Sequence, residues 1–127
     1  MKPTTKVCAA VIIELGKVLL TRRAASEEMG GSWEFPGGKI EADETPEECV
    51  VREIREELAI DIEADSFCTN VQCEYEDFHL DMDVYFCRIV NGTIDVSVHD
   101  KYVWAEIDRL LNFDLLPADI MVAKELF

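Results

Sequence analysis

The stretch that most constrains this chain is residues 37–60, GGKIEADETPEECVVREIREELAI. Thr45, Pro46 and Glu48 together spell a helix start. Thr45 supplies a hydroxyl cap, Pro46 sits at the first helical position where no N–H is needed, and Glu48 can reach back to the cap. The spacing predicts a helix over 46–58. At 100° per residue with Ile54 at zero, Leu58, Val51 and Val50 fall at about +40°, +60° and −40°, one apolar face that can dock on a sheet. Glu57, Glu53 and Glu56 fall at about −60°, −100° and −160°, along one flank of that face. Like charges at this spacing cost a helix a few tenths of a kcal/mol per pair, about 0.2–0.5. The plain reading is a solvated acidic face. The chemical one is a set of hard oxygen ligands for Mg²⁺ or Mn²⁺, which would remove the repulsion. Arg52 stands four residues after Glu48 and four before Glu56, placed to hold the helix surface and orient Glu56, with Arg55 doing the same from a more exposed position.

The remaining segments read as strands around this helix. Residues 6–13 are β-branched and apolar, a buried strand. Glu14-Leu15-Gly16 turns the chain, and 17–22 is its hairpin partner. Residues 23–32 read as a loop, and 33–35 as a short strand ending at Pro36 and a Gly37-Gly38 turn. Strands are expected at 66–76 and 79–90, a tight turn at Asn91-Gly92, and short strands at 93–98 and 101–105. Helices are expected at 106–112 and 117–126. The order predicts one mixed α/β (α+β) domain over 1–127 rather than a regularly alternating doubly wound sheet.

The charge narrows the partners. With 27 acidic against 12 basic residues the formal net charge is −15, which argues against a nucleic-acid polymer or an anionic membrane. Eight of the acids lie in 41–57 beside only two arginines. A small anionic substrate remains compatible if divalent cations stand between it and the protein. No apolar run reaches the roughly 20 residues that span a bilayer, and the N-terminus alternates like a strand rather than a signal peptide. Five cysteines without zinc-like spacing imply reduced thiols in a cytoplasmic protein.

From Gly38 onward the residues follow a known pattern. Gly38, five residues, Glu44, seven residues, then Arg52-Glu53-Ile54-Arg55-Glu56-Glu57-Leu58-Ala59-Ile60 resembles the Nudix box, G-x5-E-x7-R-E-U-x-E-E-x-G-U. Ala59 alone departs, standing where the family has Gly. Gly after a helix takes the left-handed conformation freely; Ala there costs about 1 kcal/mol, or the helix ends differently. The flanking WEFPGGKIE is similar to the MutT-type branch.

The resemblance implies a Nudix fold, a mixed sheet between helices (α/β/α), and hydrolysis of a nucleoside diphosphate linkage with Mg²⁺ or Mn²⁺. It implies Glu53, Glu56 and Glu57 as metal ligands together with the Gly38 carbonyl, and Glu44 as a structural or accessory acid. Glu53 is the first candidate to orient or deprotonate the water. A further acid that relatives carry in a Glu-His pair is replaced by Val98 before His99, leaving Asp100 to serve if the loop shifts. Arg23 and Lys39 are the expected phosphate contacts.

LLPADIMVAKELF resembles the L-x-P-A-D-I segment of a bacterial subgroup acting on CTP, dCTP and 5-substituted dCTP. The 8-oxo-dGTP-cleaving relatives often have Asn where this chain has Asp119. A carboxylate only accepts hydrogen bonds and so suits the cytosine amino group; a protonated Asp could mimic Asn and suit 8-oxoguanine. Phe35, Tyr75 and Phe78 are expected to stack on the base; Trp33 and Trp104 are expected mainly in the core. The implied partner is a small nucleotide, with no obligatory protein partner. A catalytically dead, nucleotide-binding regulator is the remaining alternative, disfavoured by the intact Arg52-Glu53 and Glu56-Glu57 pairs.

Overall fold

The computed structural model describes residues 2–24, 30–95 and 99–126, with side chains omitted at 99 and 100. The elements run β1 (Thr4–Glu14), β2 (Lys17–Arg23), β3 (Trp33–Glu34), β4 (Gly37–Lys39), α1 (Pro46–Leu58), β5 (Ile60–Glu74), β6 (His79–Gly92), β7 (His99–Glu106), a 3₁₀ segment (Ile107–Asn112) and α2 (Pro117–Glu125). The sheet is mixed. Its path is β3-β2-β1-β6-β5, with β4 added to β1 and β7 to β2. β1 is its axis: it runs parallel to β6 from Thr4 to Ile12 and antiparallel to β4 at Val7–Ala9.

β1 is apolar on both faces because both are covered. Cys8, Ala10 and Ile12 point to the side where Cys49, Val50, Ile54 and Leu58 of α1 dock. Ala9 and Val11 point to the other side, against Ala118, Val122 and Ala123 of α2. The period-two alternation of one strand thus separates two cores, giving the α/β/α layering expected from the sequence. The apolar face projected for α1 is the face buried, with Ile54 and Leu58 fully inaccessible.

Helix α1 starts as written in its sequence. The Glu48 amide donates to the Thr45 hydroxyl at 3.1 Å, and the Thr45 amide donates to the Glu48 carboxylate at 2.9 Å. At the other end Ala59 adopts φ 60°, ψ 28°, and its N–H donates to the Arg55 carbonyl at 3.1 Å. The left-handed cap forms with alanine where the pattern that this stretch resembles has glycine, so the chain carries about 1 kcal/mol of local strain there.

Four local expectations are corrected. Gly37-Gly38 is not a turn but a strand against β1, pairing with Ala9 and Cys8. Asn91-Gly92 does not make a tight hairpin; the two residues pair with Asp61 and Ile60. A Cβ on Gly92 would lie 2.9 Å from the Ala59 carbonyl, so this glycine (φ +98°) lets β6 pass the end of α1. β5 begins at Ile60, not 66, and its alternation is hidden by register shifts at Asp61/Ile62, Ala64/Ser66 and Phe67/Thr69. The helix expected at 106–112 is present as a 3₁₀ segment over Ile107–Asn112, after which the Trp33 amide donates to the Asp114 carbonyl at 2.8 Å. Of the strand expected at 93–98, residues 93–95 are irregular and 96–98 lie outside the described residues.

Candidate active site

Strand β4 passes the carboxylate flank of α1 at very short range. A Cβ at Gly38 would stand 2.3 Å from the Glu53 carboxylate carbon, and one at Gly37 would stand 2.0 Å from the Cys8 carbonyl. Neither glycine has positive φ. They are needed for closeness, not for turning. This approach brings Gly38 and Glu53 together.

Arg52 organises one side of the flank. Its Nε donates to Glu44 Oε2 at 2.6 Å and its Nη2 to Glu44 Oε1 at 3.0 Å, a two-pronged pair. Nη2 also donates to the Lys39 carbonyl at 3.1 Å, tying helix to strand. Nη1 reaches Glu53 Oε1 at 3.0 Å and Glu56 Oε1 at 3.1 Å. The Arg52 hydrogen bonds, helped by the Glu41 amide, pull the Glu44 carboxyl down to about 2. Arg52 therefore pairs with Glu44 rather than Glu48, which is occupied by the helix cap. It does hold Glu56, as expected. Arg55 instead pairs with Asp61 at 2.7 Å.

The other side is short of positive charge. Burial first, then the charge and hydrogen bond of Glu53, raise the Glu57 carboxyl to about 9, with Glu34 adding to the effect. Glu57 Oε2 is withdrawn from solvent. Two acids sharing a site cannot both ionise cheaply. A hard divalent cation would relieve them as a proton does, and the Glu53 and Glu57 carboxylates and the Gly38 carbonyl are oxygen donors suited to it. These residues fit such an ion. Among the described residues, however, no three acidic, His or Cys groups converge on a common point. Glu56, its side chain 59% exposed, is drawn outward to Arg52. Asp100 lies outside the residues whose side chains are described.

A second carboxyl comes from α2. Asp119 is 5% exposed, and its Oδ1 accepts the Phe35 amide at 2.9 Å. Burial, then the Glu34 charge, raise it to about 8, while the Phe35 N–H and Arg23 oppose. Tyr75 lies beside it: burial pushes the phenol up to about 12, a hydrogen bond to the backbone at Ala118 opposes, and the charges of Cys73 and Asp119 contribute. Tyr75 stacks on Phe78 with centroids 4.8 Å apart. Phe35 is 3% exposed and packed in the α2-side core, and its backbone N–H is what meets Asp119. Trp33, also in that core, meets Phe113 edge-on, and Trp104 packs on the α1 side. Lys39 leaves an exposed side chain on β4. Arg23 Nε reaches Glu34 Oε1 at 3.3 Å.

Sequence reasoning missed Glu34. Its charge acts on both Glu57 and Asp119, and it engages Arg23. The available signal was a single acid in an otherwise apolar strand beside the Gly-Gly segment. It also missed that Cys8 and Cys49 meet under this site, 2.6 Å apart at sulfur. The hydrogen bond to Cys8, then burial, hold the Cys49 thiol far above the usual range.

Comparison with known proteins agrees with this geometry. The family described as NUDIX domain matches residues 8–124. A CTP pyrophosphohydrolase of Escherichia coli K12 is 36% identical over 91% of this chain and 85% of its own length. An 8-oxo-dGTP diphosphatase of Proteus vulgaris is 35% identical over 66% of this chain and 76% of its own. The crystal structure of a MutT NUDIX hydrolase from Burkholderia pseudomallei superposes with a TM-score of 0.89 at 27% identity, covering 99% of this chain and all of the other.

Proposed function

The chain belongs to the NUDIX domain family of hydrolases, and from that premise we propose that it is a Mg²⁺-dependent nucleoside triphosphate pyrophosphohydrolase that prefers CTP or dCTP, including 5-substituted dCTP. It converts (d)NTP and water to (d)NMP and pyrophosphate. The observation that carries the reaction class is the flank of α1, where Glu53 and Glu57 crowd together against the Gly38 strand.

Glu53, Glu56, Glu57 and the Gly38 carbonyl would hold Mg²⁺ or Mn²⁺, which neutralises phosphate oxygens and lowers the pKa of water when bound. Glu56 must leave Arg52 to join them. Glu44 keeps Arg52 in place as a permanently ionised partner. Arg52 in turn pins Glu53 Oε1 and leaves Oε2, in the space a Gly38 side chain would fill, to orient the attacking water or take its proton. Arg23 and Lys39 contribute positive charge for the phosphates, Arg23 after exchanging Glu34 for substrate.

For the base, Asp119 with Tyr75 and Phe78 forms the reading group. The similarity to a CTP pyrophosphohydrolase over most of both chains supports the cytidine preference. A protonated Asp119 offers one donor and one acceptor, complementary to N3 and the amino group of cytosine. A second reading, 8-oxo-dGTP hydrolysis, is favoured by the same protonation, because a neutral carboxyl imitates an asparagine amide. Steady-state kinetics with CTP, dCTP, 5-methyl-dCTP and 8-oxo-dGTP, with product identification and a chelator control, separates the two. The cytidine reading expects the highest kcat/KM on a cytidine substrate and fails if 8-oxo-dGTP leads by more than tenfold. Asp119→Asn shifts the ratio; an unchanged ratio removes Asp119 from base recognition.

A further inference from the structure

Two of the five cysteines meet in space although they are 41 residues apart in the chain. Cys8 lies on β1 and Cys49 in the first half of α1, both inaccessible to solvent. Their sulfurs are 2.6 Å apart, inside ordinary contact for two thiols and about 0.6 Å beyond a covalent S–S bond. The pair sits beneath the catalytic strand: Cys49 Sγ faces the Lys39 carbonyl at 3.5 Å and the Gly38 carbonyl at 3.8 Å, and Arg52 Nη2 lies 3.9 Å away. Packing alone would be served by alanine or valine in this core, and the hydrolysis needs neither thiol.

We infer that Cys8 and Cys49 are a redox-sensitive dithiol, which hydrogen peroxide oxidises to a disulfide joining β1 to the helix α1 of the proposed site. As local opening returns the pair to water, the Cys8 thiol gives up its proton and its sulfur attacks a peroxide oxygen; the O–O bond breaks, the departing hydroxide takes a proton to become water, and Cys8 is left as a sulfenic acid. The second thiol then attacks that sulfur, the S–S bond forms, its proton goes to the departing hydroxyl, and a second water is released. Both sulfurs are oxidised by one electron each and the peroxide is reduced by two. Small oxidants can reach a buried pair during local opening, whereas bulky reagents cannot. The resulting link closes a long loop through the active-site helix and stabilises the fold chiefly by restricting the unfolded chain.

Cys87 shares this core, yet its register partner on β1 is Ile12, about 13 Å along the strand from Cys8. Cys68 and Cys73 pack on the opposite face.

The test treats the reduced protein with hydrogen peroxide, unfolds it in excess maleimide and maps the peptides. The expected result is a linked Cys8–Cys49 peptide, loss of two hydrogens, and a melting temperature raised by about 5 °C or more, all reversed by dithiothreitol. The variant with Cys68, Cys73 and Cys87 each changed to Ser retains the response, and Cys49→Ser loses it. Linkage between other cysteines, full maleimide labelling of Cys8 and Cys49 after oxidation, or a link that forms without raising the melting temperature overturns the inference. Should Cys49→Ser fail to fold, the wild-type peptide map decides alone.

Discussion

Helices α1 and α2 lie on opposite faces of the sheet, and each presents a carboxyl withdrawn from water, Glu57 partly and Asp119 almost wholly. Glu57 of α1 is surrounded by other acids. Burial and Glu53 raise it to about 9. Asp119 of α2 is raised by burial and Glu34 to about 8, but it also rests on the Phe35 amide, which favours the charged form. The first arrangement is a repulsion that a proton or a cation must resolve. The second is already oriented by the protein's own backbone. Under the proposed function, the group that awaits a cation's charge and the group that reads the base are thus distinguished by what the fold supplies them.

The largest expected effect breaks the first member of this pair. Glu57→Gln keeps the side chain's size and removes its charge, so kcat should fall by about 10³-fold or more while the fold persists. Turnover near the wild-type rate, alongside an unchanged circular dichroism spectrum, would remove Glu57 from the metal-ligand set. Gly38→Ala attacks the same site from the strand. Its Cβ would displace the Glu53 carboxylate, and a shift of about 1 Å should cost about 10²-fold in kcat with little change in KM. Turnover near the wild-type rate in Gly38→Ala would show that the close approach of β4 to Glu53 is not required.

The second member is sharpened by pH. Asp119 has its ordinary value in the unfolded chain and about 8 in the folded one, so the folded state binds the extra proton between these limits. Its contribution to stability is complete below about pH 4 and is lost as pH rises through about 8. Without added metal, the melting temperature of the wild-type protein should therefore decline over that window by several degrees more than that of Asp119→Asn, measured by calorimetry. Parallel curves would mean that Asp119 is not proton-linked to folding. The smallest effect lies at the end of α1. Ala59→Gly relieves the left-handed strain and should raise stability by about 0.5–1 kcal/mol in urea titrations, with kcat unchanged. A destabilised variant would show that the unfolded-state entropy of glycine outweighs the strain.

Legibility differed between the two regions for a physical reason. Helix α1 is specified by interactions three and four residues apart: the Thr45–Glu48 cap, the Ile54–Leu58 face and the Glu53–Glu57 spacing. Each can be counted along the chain. Asp119 lies in α2, whose place on the sheet could be expected, but its amide partner is 84 residues away, and no local pattern announces that contact. The glycines show the same division. Gly37 and Gly38 were visible as a motif and misread as a turn, because closeness to Cys8 and Glu53 is a property of packing. Arg52 was visible as a support, while its main partner Glu44 depends on the path of residues 40–45.

By itself the sequence determined the capped helix, the sidedness of its acids, the buried central strand and the family, because these rest on local spacing and periodicity. Only the tertiary structure decided that Glu53 abuts Gly38, that the charge of Glu34 acts on both Glu57 and Asp119, that Asp119 is held on the Phe35 amide, and that Cys8 meets Cys49. Those pairings join strands and helices distant in sequence. Their consequences for charge come from desolvation, which a residue acquires only when the rest of the chain closes over it.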